Sequence, residues 1–385
     1  MSVRATQLDV YRTAIGMRSF EHAAAARELA EAIVVRAAFS DGTIGWGETL
    51  PRAYVTGETL DSVPADIEET VWPAAAGTDF AARDAPGSLP VVAAAGRCIR
   101  AAACAVELAC VDAWLARRGP QALAELNGGR PIADAIAARV SGVLGSSDPD
   151  KTARRLRRMR CFGLRDFKLK LGFGEEIDAA NLAVVDRRIG GAIAAGRCTL
   201  RVDANNAWDP DAVPERIAAL KPRGVCVVEE PTSCTGAELV ALSRRSTLPL
   251  MADESLLGEA DAHVLLAEPR RVWWNVRISK NGGLTRAMHL TDLAAAHGVP
   301  LVIGGMVGES GILSAAQRRL LQAARGVRFV EGNYGRFLLK GDLARPSIRF
   351  GFGGRLDVLR GPGLGVRVDP GALERLGRHV RTFHT

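Results

Sequence analysis

The sequence predicts a (β/α)8-type TIM barrel preceded by a small α+β domain. Short β-branched or apolar segments recur after residue 135, and helix-length segments rich in Ala, Leu and Arg lie between most of them. Strands that alternate with helices form parallel βα units, and eight such units close into a barrel. The predicted strands are 137–144, 166–171, 199–203, 225–230, 249–253, 272–279, 300–306 and 327–331. The predicted helices between them include 176–194, 210–221, 236–247, 282–297 and 310–325.

The first part of the chain, residues 1–130, is predicted to fold as a separate α+β domain. Three strand-like segments, with Asp41-Gly42 as a hairpin turn, precede two helical patterns. The strands are expected at 8–11, 32–39 and 44–48, and the helices at 62–69 and 90–116. The barrel is assigned to residues 131–345. The Gly-rich segment 346–385 is expected to return and pack on the first domain.

The composition excludes several classes of protein. A chain of 385 residues with 48% hydrophobic residues is neither disordered nor a small disulfide scaffold. The formal charge is +7, but the densest basic run, 154–158, has a helical pattern typical of a solvated face, so we predict no nucleic-acid partner. Seven cysteines without a CxxC pair predict a reduced, cytoplasmic protein. The short apolar segments predict no membrane partner.

Acidic residues end three consecutive predicted strands. Asp203, Glu229 and Asp253 stand at the carboxyl ends, where catalytic groups of such barrels lie. Three converging carboxylates repel one another, and a hard cation relieves the repulsion. Oxygen ligands alone favour Mg²⁺, with Mn²⁺ as a substitute. Taken singly, an Asp here is more often a helix N-cap, and Glu229-Glu230-Pro231 suits a solvated loop.

The lysines are few and unevenly placed. Only six of the 50 basic residues are lysines, and three of them stand at predicted strand ends: Lys168, Lys170 and Lys280. Alternation places Lys168 and Lys170 on one face, although a lone Lys-x-Lys is more often an exposed face. Lys170 and Lys280 would flank the carboxylates, which suits removal of the proton α to a metal-bound carboxylate. Lys168 is expected to lower the pKa of Lys170 through like charge.

Five motifs in a fixed order carry a resemblance to a known family. The stretches FKLKLG, RVDANNAW, VVEEP, MADES and ISKNGGL resemble the enolase superfamily, and within it the muconate lactonizing enzyme subgroup. The resemblance implies a capping domain, a catalytic barrel, a divalent cation and a homo-oligomer. It also implies roles for single residues: metal ligands Asp203, Glu229 and Asp253, base Lys170, its partner Lys168, base or opposite cation Lys280, and supporting residue Asn205.

The segment at predicted strand seven distinguishes between subgroups of this superfamily. Mandelate racemase-like members carry a His there and an Asp on strand six, whereas residues 304–310 contain no His and strand six carries Lys280. Enolase itself lacks the Lys-x-Lys base. The resemblance therefore implies the subgroup with lysines on both sides.

The resemblance places substrate specificity in the capping-domain loops and after strand eight. Residues 48–58 are similar to a stretch of dipeptide epimerases, but Glu331-Gly332-Asn333 replaces their usual Asp-x-Asp. Arg18 and Arg52 are candidates to bind a second anionic group, with an ordinary surface arginine as the alternative. The candidate substrate-binding or supporting residues are Asn205, Glu254, Glu309, Glu331, Asn333, Tyr54, Arg52 and His22.

The predicted function is that of a Mg²⁺-dependent isomerase acting on a small-molecule carboxylate. A metal-stabilised enolate would lead to racemisation or epimerisation of an amino-acid derivative. The alternatives are cycloisomerisation of a muconate-like acid and syn-dehydration of the o-succinylbenzoate synthase type on the same site. A more remote alternative is a ligand-binding protein without catalytic activity.

Overall fold

A four-stranded antiparallel sheet and an eight-stranded parallel sheet organise the chain in the computed structural model. The structure describes residues 2–22, 25–82, 87, 89, 93–94, 97–119 and 121–385. The strands are β1 (Ala5–His22), β2 (Ala25–Phe39), β3 (Ile44–Thr49), β4 (Ala93–Ala94), β5 (Arg97–Cys98), β6 (Gly142–Leu144), β7 (Asp166–Lys170), β8 (Thr199–Asp203), β9 (Val225–Glu229), β10 (Leu250–Ala252), β11 (Val272–Val276), β12 (Leu301–Ile303), β13 (Val327–Val330), β14 (Ala344–Arg345), β15 (Arg367–Val368) and β16 (Gly377–His384).

Helices occupy most of the connections. The α-helices are α1 (Ala53–Thr56), α2 (Ser62–Asp66), α3 (Trp72–Gly77), α4 (Arg100–Arg118), α5 (Ala122–Leu126), α6 (Pro149–Cys161), α7 (Glu175–Ala194), α8 (Val213–Leu220), α9 (Gly236–Arg245), α10 (Glu259–Leu265), α11 (Ile278–Asn281), α12 (Leu284–His297), α13 (Gly311–Ala323) and α14 (Pro370–Leu376). A π-helical turn covers Ile67–Val71, and 3₁₀ turns cover Lys221–Arg223, Gly335–Phe337 and Phe352–Gly354. None of the helices within the described residues is long and apolar enough to cross a membrane.

Strands β6 to β13 form the barrel in sequence order. A parallel bridge between Val140 and Val330 joins the first strand region to the last, and the Ser141 amide donates to the Val330 carbonyl at 2.8 Å. The predicted fold class is thereby confirmed, with a strand in each of the eight segments. Strand β8 has the predicted bounds, and the other seven strands are shorter than predicted. The segment predicted at 272–279 ends as a strand at Val276, because α11 begins at Ile278.

Alternation along the barrel strands separates an apolar layer from a polar one. One cluster of buried apolar side chains comprises Val227, Met251, Trp273, Val302 and Phe329. In four of these strands a polar residue follows two positions later, on the same face: Glu229, Asp253, Asn275 and Glu331. The apolar cluster thus forms a floor beneath polar groups at the carboxyl ends of the strands.

The first sheet packs on α4 through two glycines. An added Cβ at Gly45 or Gly47 would lie 1.9 Å from a carbonyl oxygen of α4, so the close approach requires glycine. Helix α4 begins at Arg100, not at residue 90, because residues 93–94 and 97–98 pair as a two-residue hairpin. The remaining positions of 90–96 lie outside the described residues.

Two buried carboxylates connect the first sheet and α4 to the barrel helices. Glu48 on β3 accepts hydrogen bonds from the Ser310 amide, the Ser310 hydroxyl and the Leu313 amide at the start of α13. Glu107 on α4 accepts from the amides of Leu284 and Thr285 at the start of α12. Each carboxylate satisfies amide donors that a helix start leaves free. At the other end of the chain, β16 pairs antiparallel with β1.

Candidate active site

Three of the predicted site residues lie side by side in the barrel sheet. Lys170 pairs with Asp203 across β7 and β8, and Asp203 pairs with Glu229 across β8 and β9. Asp253 follows two residues after Met251, which pairs with Glu229. The parallel register therefore brings the carboxyl ends of β7, β8, β9 and β10 together at one end of the barrel.

Lys168 is locked among carboxylates. Its side chain is 2% exposed, and its Nζ lies 2.6 Å from Glu331 Oε2, 3.0 Å from Glu229 Oε2 and 3.4 Å from Asp203 Oδ2. Burial alone would lower the pKa of Lys168, but the surrounding carboxylates hold it well above its usual range. Lys168 therefore stays protonated and acts as a fixed positive charge.

Lys170 lines a cavity at the carboxyl ends of the barrel strands. Its Nζ lies 3.3 Å from Asp203 Oδ2 and donates to Asn205 Oδ1 at 3.1 Å. Asn205 has a φ of 47°, and its amide donates to Asp203 Oδ1 at 3.0 Å, so its conformation is fixed by the neighbouring aspartate. Lys170 and Asn205 are thus oriented together by Asp203.

The three candidate ligands are almost fully buried. Asp203, Glu229 and Asp253 are 1%, 0% and 1% exposed. Burial opposes ionisation of Asp203, but Lys170 and Lys168 hold its pKa below the usual range. Burial raises the pKa of Glu229, and Lys168 counteracts this. Asp203 Oδ2 receives no hydrogen bond of good geometry despite its burial.

The chemistry of this donor set fits a hard divalent cation. Three carboxylates on neighbouring strands supply oxygen ligands only, and Asp203 Oδ2 is engaged by two ammonium groups but by no hydrogen bond of good geometry. Within the described residues, no three His, Cys, Asp or Glu side chains stand in the arrangement of a ready-made metal site. Lys168, Lys280 and Arg277 contact these carboxylates.

Lys280 lies behind the carboxylates, not on the cavity side where its sequence position predicts it. It belongs to α11, is 0% exposed, and its Nζ donates to Asp253 O at 2.6 Å, Asp253 Oδ1 at 2.9 Å and Asn275 O at 2.8 Å. These three acceptors use all three protons of the ammonium group. Burial and the charge of Arg277 lower the pKa of Lys280 to about 7.

Arg277 lines the cavity from the end of β11, the sixth strand of the barrel. It follows the end of β11 and continues the face of Trp273 and Asn275. Its guanidinium forms an ion pair with Asp253 Oδ2 and lies 3.8 Å from Glu229 Oε1. The Arg277 amide donates to Asn281 Oδ1 at 2.8 Å, which fixes the turn into α11. That turn carries Lys280 away from the cavity.

A cavity of about 560 Å³ opens over these groups. Lys168, Lys170 and Arg277 line its base, and apolar side chains form part of its wall, namely Met159, Phe162, Met306, Phe337, Leu338 and Phe350. A small molecule with a carboxylate would therefore meet cationic groups at the base and apolar surface above.

The remaining candidates divide between the cavity wall and other places. Glu309, Glu331 and Asn333 line the cavity. Burial raises the pKa of Glu309 to about 8, whereas Lys168 and Arg201 overcome burial and lower that of Glu331 to about 2. Asn333 Oδ1 accepts from Arg318 Nε at 2.7 Å, which fixes the amide.

Among the other candidates, Glu254, Tyr54 and Arg52 do not line the cavity. Glu254 lies next to Asp253, and burial raises its pKa to about 7. Tyr54 is 53% exposed on α1. Arg52 is 6% exposed and donates to the backbone carbonyls of Glu31 and Pro51, so it supports the fold. The side chain of His22 lies outside the described residues.

Several residues of this site were not anticipated from the sequence. Asn275 donates to Glu229 Oε1 at 2.9 Å, and Arg201 Nη2 lies 2.7 Å from Glu331 Oε1. Glu230 accepts from the amides of Asp253 and Ser255 and orders the loop after β10. Side chains alternate between the two faces of a strand, and Arg201, Asn275 and Arg277 each continue a series that faces the barrel interior. This alternation could have indicated all three residues.

Comparison with known proteins assigns the family. A family model described as enolase C-terminal domain-like matches residues 151–372. The chain belongs to the enolase superfamily. It is 31% identical to an L-Lys-D/L-Arg epimerase of Methylococcus capsulatus, and the match covers 87% of this chain and 90% of the relative. It is 26% identical, over 88% of its length and 89% of the relative's, to an L-Ala-D/L-Glu epimerase of Bacillus subtilis.

Solved structures agree with this assignment. The muconate lactonizing enzyme of Pseudomonas fluorescens, complexed with muconolactone, superimposes with a TM-score of 0.84 at 26% identity, covering 98% of this chain and 100% of that one. This member of the enolase superfamily thus resembles the muconate lactonizing enzyme subgroup, and it is an isomerase. Superfamily enzymes of this kind generally depend on a divalent metal, typically Mg²⁺.

Proposed function

We propose that this enzyme isomerises a small carboxylate by removing the proton α to the carboxylate, with Lys170 as the base. The observation that carries the proposal is where Lys170, Arg277 and Lys280 lie relative to the cavity. Lys170 and Arg277 line the cavity, whereas Lys280 donates all its protons to Asp253 and Asn275. One side chain that can accept a proton therefore stands beside the substrate, together with one that cannot.

Asp203, Glu229 and Asp253 would hold a divalent cation, with Mg²⁺ favoured over Mn²⁺. When bound, the cation supplies Lewis-acid stabilisation of the charge that develops on the substrate carboxylate. Lys168 keeps a fixed positive charge next to Glu229 and Glu331. Its field stabilises negative charge at the base of the cavity throughout the reaction.

Arg277 favours a reaction that needs only one base. A guanidinium stays protonated in proteins, so Arg277 donates hydrogen bonds to an anion but does not accept a proton. In the ring-opening direction of a cycloisomerisation, Lys170 takes the α proton and the released electron pair forms a C=C bond to the β carbon. The C–O bond at that carbon breaks, and the ring oxygen leaves as a carboxylate. No second base is required.

Racemisation or epimerisation is the second candidate. The epimerases of Methylococcus capsulatus and Bacillus subtilis, at 31% and 26% identity, favour it. It needs a proton donor on the face of Arg277. Lys280 would serve there after its Nζ leaves Asp253.

The test is a screen for α-proton exchange in deuterated water with Mg²⁺, followed by NMR. N-acyl amino acids, dipeptides and muconolactone-type lactones, which carry an sp3 C–H α to the carboxylate or the acyl carbon, are the probes. We expect exchange with one class, and a loss of about 10²–10⁴-fold in Lys170→Met, the typical contribution of a general base. Lys221→Met, at an exposed position, is the matched control. Exchange that survives in Lys170→Met would overturn the assignment of the base, and inversion at Cα in the wild type would favour the second candidate.

A further inference from the structure

Five basic side chains surround the outer part of the cavity that holds Lys170. Arg18 comes from β1, and the other four come from α6: Lys151, Arg154, Arg155 and Arg158. We call these five residues the basic rim. The basic rim and the group at the base of the cavity, including Lys170 and Arg277, line one continuous space of about 560 Å³.

The spacing on α6 explains why four of its basic residues converge. Positions 151, 154, 155 and 158 follow the i, i+3, i+4, i+7 pattern of a single helix face. Arg157 does not share this face and does not line the cavity. From the sequence, the run 154–158 is expected to form a solvated face. In the structure Arg157 fits that description, whereas Arg154, Arg155 and Arg158 line the cavity.

The cavity wall offers the basic rim little negative charge. Among the described residues, the acidic side chains that line the cavity are Glu309 and Glu331, and Glu331 is already paired with Lys168 and Arg201. Arg154 lies 3.4 Å from Asp148 at an exposed position. Among the described residues, no carboxylate lies within 4.0 Å of the guanidinium of Arg18 or Arg158. Like charges that converge on a cavity repel one another, and an anionic ligand relieves the repulsion.

We infer that the substrate carries a second anionic group, a carboxylate or a phosphate, which the basic rim binds. The inference rests on the proposed function, in which a first carboxylate lies beside Lys170 and Arg277. Phe162, Phe337 and Leu338 line the same cavity and offer apolar surface to the carbon chain of the substrate. The enzyme therefore selects an acid with an anionic group at each end.

Matched pairs of ligands test this directly. N-Succinyl-L-alanine and N-butanoyl-L-alanine have acyl chains of the same length and differ in the terminal carboxylate, and adipate and hexanoate form a second pair. N-(3-Phosphonopropanoyl)-L-alanine distinguishes a phosphate-type site from a carboxylate site. Dissociation constants are measured by calorimetry with Mg²⁺ at low and high salt. We expect the dianion of at least one pair to bind about tenfold or more tightly, with the advantage falling as salt rises.

Variants separate the basic rim from the rest of the site. Arg18→Gln and Arg158→Gln should each reduce the preference for the dianion several-fold, and Arg157→Gln, from the same helix, should leave it unchanged. A wild type without the preference, or a double Arg18→Gln/Arg158→Gln variant that keeps it, would overturn the inference.

The same measurements in Lys170→Met distinguish this inference from the proposed function. The dianion preference should persist there, because the basic rim is intact. Persistence of the preference without proton exchange on any probe in the wild type would speak against the proposed function alone. Exchange without the preference would speak against the basic rim alone.

Discussion

Arg277 forms an ion pair with Asp253 at the point where carboxylates from β8, β9 and β10 converge. The guanidinium occupies space between Asp253 and Glu229, two of the three candidate ligands. A positive charge there neutralises the same carboxylates that a divalent cation would use. Arg277 and a bound cation therefore compete for Asp253, which makes metal affinity a sensitive measure of this contact.

Metal binding should respond in opposite directions to two substitutions. Asp203→Asn removes a carboxylate and should weaken Mg²⁺ binding by about tenfold or more, because hard cations prefer charged oxygen ligands. Arg277→Gln removes the competing charge and should strengthen it. Calorimetric titration with Mg²⁺, and the rise in Tm that Mg²⁺ produces, measure both effects. Asp211→Asn, at an exposed position, is the control, and equal affinities in Asp203→Asn and the wild type would contradict the assigned ligand set.

The stereochemical outcome should change when Arg277 becomes an amine. In Arg277→Lys the side chain can lose its proton, so the cavity gains a base opposite Lys170. We expect deuterium to enter at Cα with partial inversion of configuration, whereas Arg277→Gln should exchange without inversion. Chiral chromatography of substrate recovered from deuterated water provides the measurement. If the wild type inverts as fast as Arg277→Lys, the one-base mechanism is wrong.

Glu48 should make stability depend on pH. Burial raises its pKa from 4.5 to about 7, so the folded state holds a proton that the unfolded state has already released. The contribution of Glu48 is therefore complete below about pH 4.5 and is lost as the pH rises to about 7, with an upper limit of about 3 kcal/mol.

Urea unfolding between pH 5 and pH 8 tests this sign. The free energy of unfolding should fall with rising pH in the wild type and fall less in Glu48→Gln. Glu69→Gln, at an exposed position, should follow the wild type. If the wild type and Glu48→Gln instead show the same pH dependence between pH 5 and pH 8, folding does not raise the pKa of Glu48.

Gly47 should tolerate no side chain. A Cβ at this position would lie 1.9 Å from the Ala105 carbonyl oxygen, so Gly47→Ala forces β3 away from α4 and should cost about 1–3 kcal/mol or more. Gly77→Ala is the control, because a Cβ there meets nothing within 4 Å. Denaturant unfolding compares the two, and equal stabilities would show that the sheet can shift at little cost.

Local patterns predicted the barrel, and the role of Asp203, Glu229 and Asp253 as metal ligands stays a prediction. The ends of parallel strands meet at one edge, so the strand-end positions of Asp203, Glu229 and Asp253 were sufficient to place them together. Lys280 was misplaced for a reason that composition cannot reveal. The strand stops at Val276, and the Asn281 side chain holds the turn into α11. The period of two, continued to residue 277, would have pointed to Arg277.

The basic run on α6 shows a feature that the sequence alone does not predict. Its helical spacing was visible in the sequence, but a helix face becomes a solvated surface or a cavity wall according to what packs beside it. Arg18 and α6 are far apart in the chain, and only the tertiary fold brings them to the same space. The lengths of β1 and β2, 18 and 15 residues, also exceeded the patterns that predicted them.

The pairing of β16 with β1 has a kinetic consequence. Residues 377–384 hydrogen-bond to residues 7–13, so the ribosome must deliver the whole barrel before this sheet acquires its fourth strand. Contacts between residues so far apart in the sequence slow folding, because closing the long intervening chain costs conformational entropy. During synthesis, one edge of β1 therefore stays unpaired until residues 377–384 have been made. Unpaired strand edges promote aggregation of nascent chains.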